Sequence, residues 1–400
     1  MTRLFILLLL AIGAAAFAPA SAQEPAPRDI RFKGFPRLGS TDDWSLKLRG
    51  RVQYDFGHIG RPDGVNAAGL GSVDELRRAR IGVEGTAPGG LGYVFEIDVA
   101  GEVVEITDAS LSWKASDRFT LTAGQHNNFQ SLDELTSSRF NSYVERAAFT
   151  DAFNFERRLG VSGSYAHGPW TAQLGIFHDN LLDVDETDDS VSLDGRLVYA
   201  PRIGSAQFHV GGSAHWRDNG MVMATRYRQR PLVHATDVRF VATPSLAVER
   251  ETSFGLEAAM IRGPLHLTGE AHWLTAHTAV GPDPTLFGTY VEAGWFLTGE
   301  SRGYRGARWD RTRVRHSIGE GGFGAVQVVA RWDYLDLTSE GVAGGTQHGL
   351  QASLIWIPTD YVRFLVNYAH LSFDDAAIPA AGGDRDYSVD VVAVRAQLDF

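Results

Sequence analysis

The chain has 400 residues, 44 glycines and no cysteine. Without cysteine there is no disulfide framework, no thiolate-ligated zinc or iron–sulfur centre and no cysteine nucleophile. Its 37 basic and 48 acidic side chains leave a net charge of −11, which argues against a nucleic-acid binder; only three of the basic residues are lysines (Lys33, Lys47 and Lys114), so the remaining 34 are arginines.

At the N-terminus, Arg3 precedes an apolar run over residues 4–18, and Ala20-Ser21-Ala22 stands before Gln23. A charged start, an apolar stretch and a small-residue cleavage site form a secretory signal peptide. The expected organisation is therefore a signal peptide over 1–22, a short leader over 23–40 and one domain over 41–400. Loss of Arg3 takes the net charge from −11 to −12. No other stretch approaches 18 consecutive apolar residues, so no helical membrane span is expected.

From Trp44 the pattern has a period of two. Trp44, Leu46, Leu48, Gly50, Val52, Tyr54 and Phe56 alternate with Ser45, Lys47, Arg49, Arg51, Gln53 and Asp55. Successive side chains of a strand point to opposite faces, so one face is apolar and the other charged. About ten alternating residues is the length of a tilted strand crossing a bilayer. Fifteen further segments follow, near 76–85, 91–100, 108–115, 118–125, 158–166, 169–177, 192–200, 207–217, 251–261, 264–274, 289–297, 323–335, 347–357, 361–371 and 388–400. Sixteen is an even number, and in lipid every backbone group must be paired, so the sheet must close. The prediction is an all-β, 16-stranded antiparallel transmembrane barrel.

The connections alternate as well. Those after even-numbered strands are mostly short and carry Gly, Pro, Asp and Ser, as tight turns do; those after odd-numbered strands are mostly long, as at 57–75, 126–157, 178–191 and 218–250. Short periplasmic turns and long outer loops give this rhythm. The last strand ends Val392, Val394, Ala396, Leu398, Phe400 on its apolar face. An alternating strand with a terminal aromatic is similar to the signal read by the outer-membrane assembly machinery. Lipid and lipopolysaccharide are the expected neighbours of the apolar face, whose Trp and Tyr residues suit aromatic girdles.

On the lumen wall the alternation places Lys47, Arg49, Arg51, Arg78 and Arg80, together with Asp55, Glu84, Glu96 and Asp98. A wall of both signs pairs off by default. The connection after the twelfth strand breaks the short-turn rule: it runs over 298–322 and holds Arg302, Arg305, Arg308, Arg311, Arg313 and Arg315. Such a segment either hangs free at the periplasmic mouth or folds into the lumen, where guanidinium groups would line an anion path. Loop 126–157 is the second candidate. It carries Arg139 and Arg146 with interleaved Leu132, Leu135, Phe140, Tyr143 and Val144, the composition of a packed pore constriction.

Three stretches resemble the phosphate-selective porin O and P family of Gram-negative outer membranes. Leu76-Arg77-Arg78-Ala79-Arg80-Ile81-Gly82-Val83-Glu84-Gly85 resembles its second strand. Leu132-Asp133-Glu134-Leu135-Thr136-Ser137-Ser138-Arg139 with Val144-Glu145-Arg146-Ala147 resembles its constriction loop, and Phe296-Leu297-Thr298-Gly299-Glu300 its aromatic-x-Leu-Thr-Gly-Glu signature. The resemblance implies a 16-stranded homotrimeric porin in which outer loops and one long periplasmic turn enter the lumen and basic residues conduct phosphate. The family's phosphate-binding residues in that turn are lysines; the matching stretch here carries Arg305 and Arg308 and no lysine.

The expected function is thus a passive, anion-selective outer-membrane channel for phosphate, polyphosphate or other small anions. A general or weakly cation-selective porin is the alternative, motivated by the −12 charge left after loss of Arg3 and by the acidic lumen positions. An enzyme is not expected: G-x-S-x-G and H-E-x-x-H are both missing, and no motif calls for a cofactor or metal. His266, Glu270 and His272 share one strand face, as lumen residues do. The acidic run 183–189 fails the EF-hand spacing.

Overall fold

A computed structural model describes residues 37–40, 44–183, 189–339 and 341–400. The expected signal peptide, most of the leader and the centre of the acidic run at 183–189 lie outside the described residues. Sixteen strands form the barrel: β1 (Ser45–Ile59), β2 (Gly71–Ala87), β3 (Leu91–Asp98), β4 (Glu105–Lys114), β5 (Phe119–Asn127), β6 (Arg157–His167), β7 (Trp170–Phe177), β8 (Val191–Tyr199), β9 (Ala206–Thr225), β10 (Leu246–Arg262), β11 (Leu265–Thr278), β12 (Thr285–Phe296), β13 (Ala325–Asp336), β14 (Thr346–Thr359), β15 (Val362–Asp374) and β16 (Tyr387–Asp399). Each pairs antiparallel with the next, and β16 returns to β1 from Arg51↔Asp399 to Ile59↔Val391, which closes the sheet. A short strand, Arg37–Ser40, folds back onto the start of β1 through Ser40↔Ser45, so the leader ends as part of the sheet.

All sixteen alternating segments fall on these strands, but several strands run further. β9 reaches Thr225 and β10 starts at Leu246, where a loop over 218–250 is expected from the pattern. Beyond the bilayer both faces of a strand meet water, so the apolar alternation ends while the hydrogen-bonded ladder continues to Thr225↔Leu246. Outward positions hold Trp44, Tyr54, Trp113, Trp170, Trp216, Trp273, Trp295, Trp332 and Tyr368, all exposed to the lipid side. Inward positions hold the charged wall. At the seam, Gly50 exchanges backbone hydrogen bonds with Phe400 at 3.0 Å each, and a Cβ on Gly50 would strike the Phe400 ring.

Two bulges change which residues reach the lumen. On β2, Gln53↔Arg78 is followed by Tyr54↔Leu76, leaving Arg77 as the extra residue. On β4, Glu96↔Asp108 is followed by Ile97↔Ile106, leaving Thr107 extra. A bulge re-aims the side chain of the inserted residue, and here both turn into the barrel.

Candidate functional site

The loop between β5 and β6 (128–156) lies inside the barrel and docks on one side of it. Its first helical turn, α1 (Leu132–Leu135), offers the backbone N–H groups of Leu132 and Asp133 to Glu270 on β11 at 2.7 and 2.8 Å. Ser142 donates to Glu292 on β12 at 2.7 Å, and Val144 N–H to Asn367 on β15 at 2.7 Å. At the second helical turn, α2 (Ala148–Ala152), the first N–H reaches Asp333 on β13 at 3.1 Å. Arg51 and Gln53 of β1 hold Ser138, at 2.6 Å through its hydroxyl and 3.1 Å through its carbonyl. Each strand contact is an inward residue, so the loop covers the wall formed by β10 to β16 and β1. His266 and His272, which share a face with Glu270, sit beneath it against Glu292 and Glu270, and Phe149 stacks on His272 at 4.5 Å. Among the described residues no group of three or more metal-ligating side chains converges.

The long connection after β12 also folds inward. Within it Gly303–Arg305 and Arg308–Asp310 form a small hairpin whose tip carbonyl, Ala307, accepts from Arg196 of β8 at 2.8 Å. Tyr304 meets His209 of β9 at 2.6 Å. Trp309 is buried with Leu132, Ala259 and Ile261, and the Arg302 guanidinium lies 4.1 Å over its ring. Arg302 pairs with Glu292 at 2.7 Å, and Arg311 with Asp399 at 2.6 Å. Of the two alternatives left by sequence, the turn occupies the lumen rather than hanging free.

Loop and turn fill one side and leave the other open. The opening is a cavity of about 410 Å³ whose wall includes Arg51, Arg77, Arg78, Arg80, Arg146 and Arg157. Acidic residues share it: Glu105, Glu134, Glu156 and Asp183. Above it a space of about 200 Å³ shares Arg77, Glu134, Arg146 and Glu156 with it, and a third of about 380 Å³ at the long-loop mouth carries Arg226 and Arg228. Arginines therefore recur from the mouth to the narrow part.

Most of these guanidinium groups have carboxylate partners. Glu96 alone takes Arg49 at 2.9 Å, Arg51 at 3.2 Å and Arg80 at 3.5 Å, plus the Thr107 hydroxyl at 3.2 Å. Arg77 pairs with Glu145 at 2.8 Å, Arg146 with Glu134 at 3.4 Å, and Arg157 with Asp108 at 3.2 Å. Burial raises the Glu145 carboxyl's pKa, yet Arg77, Arg78 and Arg395 outweigh it and hold the group well below the usual carboxylate range. Glu134 and Glu156 behave oppositely: burial lifts both above that range despite Arg146 and Arg158. Arg78 differs from the rest. Its contact is Gln53 at 3.0 Å, its Nε is unpartnered, and no carboxylate among the described residues lies within ion-pair distance.

Of the residues singled out from sequence, Arg51, Arg78, Arg80 and Arg146 come together at the cavity. Lys47 and Arg49 lie below it on Glu84. Arg139, Arg302 and Arg311 belong instead to the docked side, and Arg305 is exposed and paired with Asp310 at 2.8 Å. Arg308, Arg313 and Arg315 are exposed. The strand pattern misses Arg77, because strict alternation sends it outward. One signal was available: an arginine facing lipid at mid-membrane costs about 2–4 kcal/mol, so Arg77-Arg78 in one strand implies a bulge.

The chain matches the family described as phosphate-selective porin O and P over residues 46–400. It is 46% identical over 398 residues to an uncharacterized protein of Caulobacter vibrioides, covering 97% of this chain and 80% of that one. Among solved structures it superimposes on the anion-selective porin from Comamonas acidovorans (TM-score 0.59, 16% identity, 90% of this chain and 100% of that one). The trimer form of OmpT from Vibrio cholerae gives a TM-score of 0.57 at 9% identity, with 90% and 100% covered. These two similarities show a common barrel fold. With the family match spanning nearly all sixteen strands, the chain belongs to the phosphate-selective porin O and P family and is an outer-membrane porin channel.

Proposed function

We propose that the channel passes small anions by passive diffusion, with phosphate or polyphosphate as the permeant. The observation that carries this reading is the 410 Å³ cavity with six arginines on its wall, one of them, Arg78, lacking any carboxylate partner among the described residues. Guanidinium binds phosphate oxygens in a bidentate fork and keeps its charge at any working pH. The other five are held in place by carboxylates that take up part of their charge. Sites of this kind attract an anion without trapping it, which is what conduction needs. Arg226 and Arg228 at the mouth would gather anions from outside. The assembly we infer is a homotrimer, the form recorded for OmpT of Vibrio cholerae, set in lipid and lipopolysaccharide.

The second reading, a general or weakly cation-selective porin, draws on Glu105, Glu134, Glu156 and Asp183 in the same cavity. Reversal potential in a planar bilayer separates the two. Under a potassium chloride gradient the anion reading expects a potential of anionic sign and a chloride current reduced by added phosphate. Arg78→Ala should weaken that reduction while leaving the barrel assembled. A cationic sign, or a current indifferent to phosphate, would defeat the proposal.

A further inference from the structure

We propose that a second, smaller pocket, between the basic turn and the wall of β13 and β15, is a site for one halide-sized inorganic anion that fastens the turn inside the barrel. The pocket has a volume of about 20 Å³ and is lined by Arg302 and Arg311 from the turn, Gln327 from β13 and Arg363 from β15. On the same measure a single water needs about 10–15 Å³, so a phosphate does not fit and a monatomic anion does.

Two buried donors at this pocket have no partner. Arg363 is 7% exposed and its Nε is unsatisfied; Gln327 is 3% exposed and its Nε2 is unsatisfied. A buried donor left without an acceptor is costly. Arg363 Nη1 and Nη2 each donate to one carbonyl, of Arg139 and Asn141, and no carboxylate among the described residues lies within ion-pair distance of it. The Arg302 and Arg311 charges are close enough to be felt at Arg363, with Asp399 as the opposing charge. Glu292 serves both Arg302 and Arg331, and Asp399 serves both Arg311 and Arg139, so positive charge is in excess. Asp310 and Asp360 also border the pocket; Asp310 pairs with Arg305 at 2.8 Å, and one Asp360 oxygen accepts the Val314 N–H at 2.9 Å.

The unsatisfied atoms are donors only. An anion accepts from both of them and carries the charge that offsets the surplus arginines, which a water does not. Two of the cations lie on the turn and one on the wall, so the ion would tie one to the other. The site depends on where the turn sits and not on what the channel conducts.

Bromide is the probe. Crystals of the refolded full barrel soaked in sodium bromide should give an anomalous peak between Arg363 and Gln327, and Arg363→Met or Gln327→Met should lose most of it. The thermal midpoint in detergent should rise when gluconate, too large for the pocket, is replaced by bromide, and the rise should vanish in either variant. A pocket with no anomalous signal, or peaks confined to the larger cavity, would overturn the proposal. If Arg363→Met fails to fold, the wild-type peak and the Gln327→Met midpoint still decide. A cation-selective channel showing the peak would sink the conduction reading and leave this site standing.

Discussion

The two sides of the lumen use arginine in opposite ways. Along β10 to β16, inward residues are nearly all buried, because loop 128–156 and the turn after β12 lie against them. Along β4 to β7 the inward residues are mostly half-exposed, and the open cavity beside them is lined from β1, β2, β4 and the start of β6. On the covered side most arginines are tied to a carboxylate, Arg331 to Glu292 at 2.7 Å and Arg395 to Asp55 at 2.6 and 2.7 Å, and Arg363 is held by two backbone carbonyls instead. On the open side one carboxylate, Glu96, is spread over three guanidinium groups, and Arg78 has none. The same residue type is a structural fastener in one place and the lining of an open cavity in the other. What differs is whether loop and turn pack against the arginines or leave a cavity beside them.

Breaking the covered side should have the largest effect. Glu292 accepts from Ser142, Arg302 and Arg331 and stands beside His266. Glu292→Ala leaves the buried Arg302 without its carboxylate and Arg331 with only Asp133 at 3.6 Å, and removing one partner of a buried pair costs about 3–5 kcal/mol. Urea unfolding of the refolded barrel should show that loss. Because both loop and turn hang on this carboxylate, single-channel conductance should rise and become noisy as they leave the lumen. A stable variant with unchanged conductance would mean that the docking survives on its other contacts.

On the open side the effect is smaller and falls on selectivity. Glu96→Gln keeps the shape of the side chain and removes one negative charge from the centre of Arg49, Arg51 and Arg80. One unit charge at 4 Å is worth about 1 kcal/mol in a water-like medium, so the anion-to-cation permeability ratio should rise about five-fold. Reversal potentials before and after the substitution measure it. A ratio that stays put would place the permeant path away from this cluster and blur the contrast between the two sides.

How far this contrast was legible follows from the period of the signal. Lipid outside and water inside impose a strict alternation, so all sixteen strands and the overlong turn could be read from the residues. The alternation fails where that contrast ends, which is why the tops of β9 and β10 read as loop. It also fails at Arg77 and Thr107, where one inserted residue changes the face without changing composition. The pairing of arginines is beyond it altogether. Arg395 and Asp55 lie 340 positions apart and meet only because β16 closes on β1. Sequence could list the charges of the lumen, but only closure decides which cancel.

The finest test of the comparison uses pH, because Glu134 and Glu156 at the open cavity have carboxyl groups raised above the ordinary range by burial. A raised group takes up its proton at a higher pH than an ordinary glutamate does. As pH falls from neutral these two therefore neutralise before an ordinary glutamate does, while every arginine keeps its charge. Negative charge leaves the cavity and anion selectivity should increase, ahead of the general titration of exposed carboxylates. The change should be smaller than that from Glu96→Gln, since each carboxyl stands beside its own arginine and titrates gradually. Reversal potentials at stepped pH would trace it, and Glu134→Gln with Glu156→Gln should flatten the early part of the curve. Glu145, held low by Arg77, Arg78 and Arg395, stays ionised through the same window. It would keep Arg77 in place while its neighbours change charge. If selectivity instead fell with falling pH, the open side would owe its charge to groups other than these two.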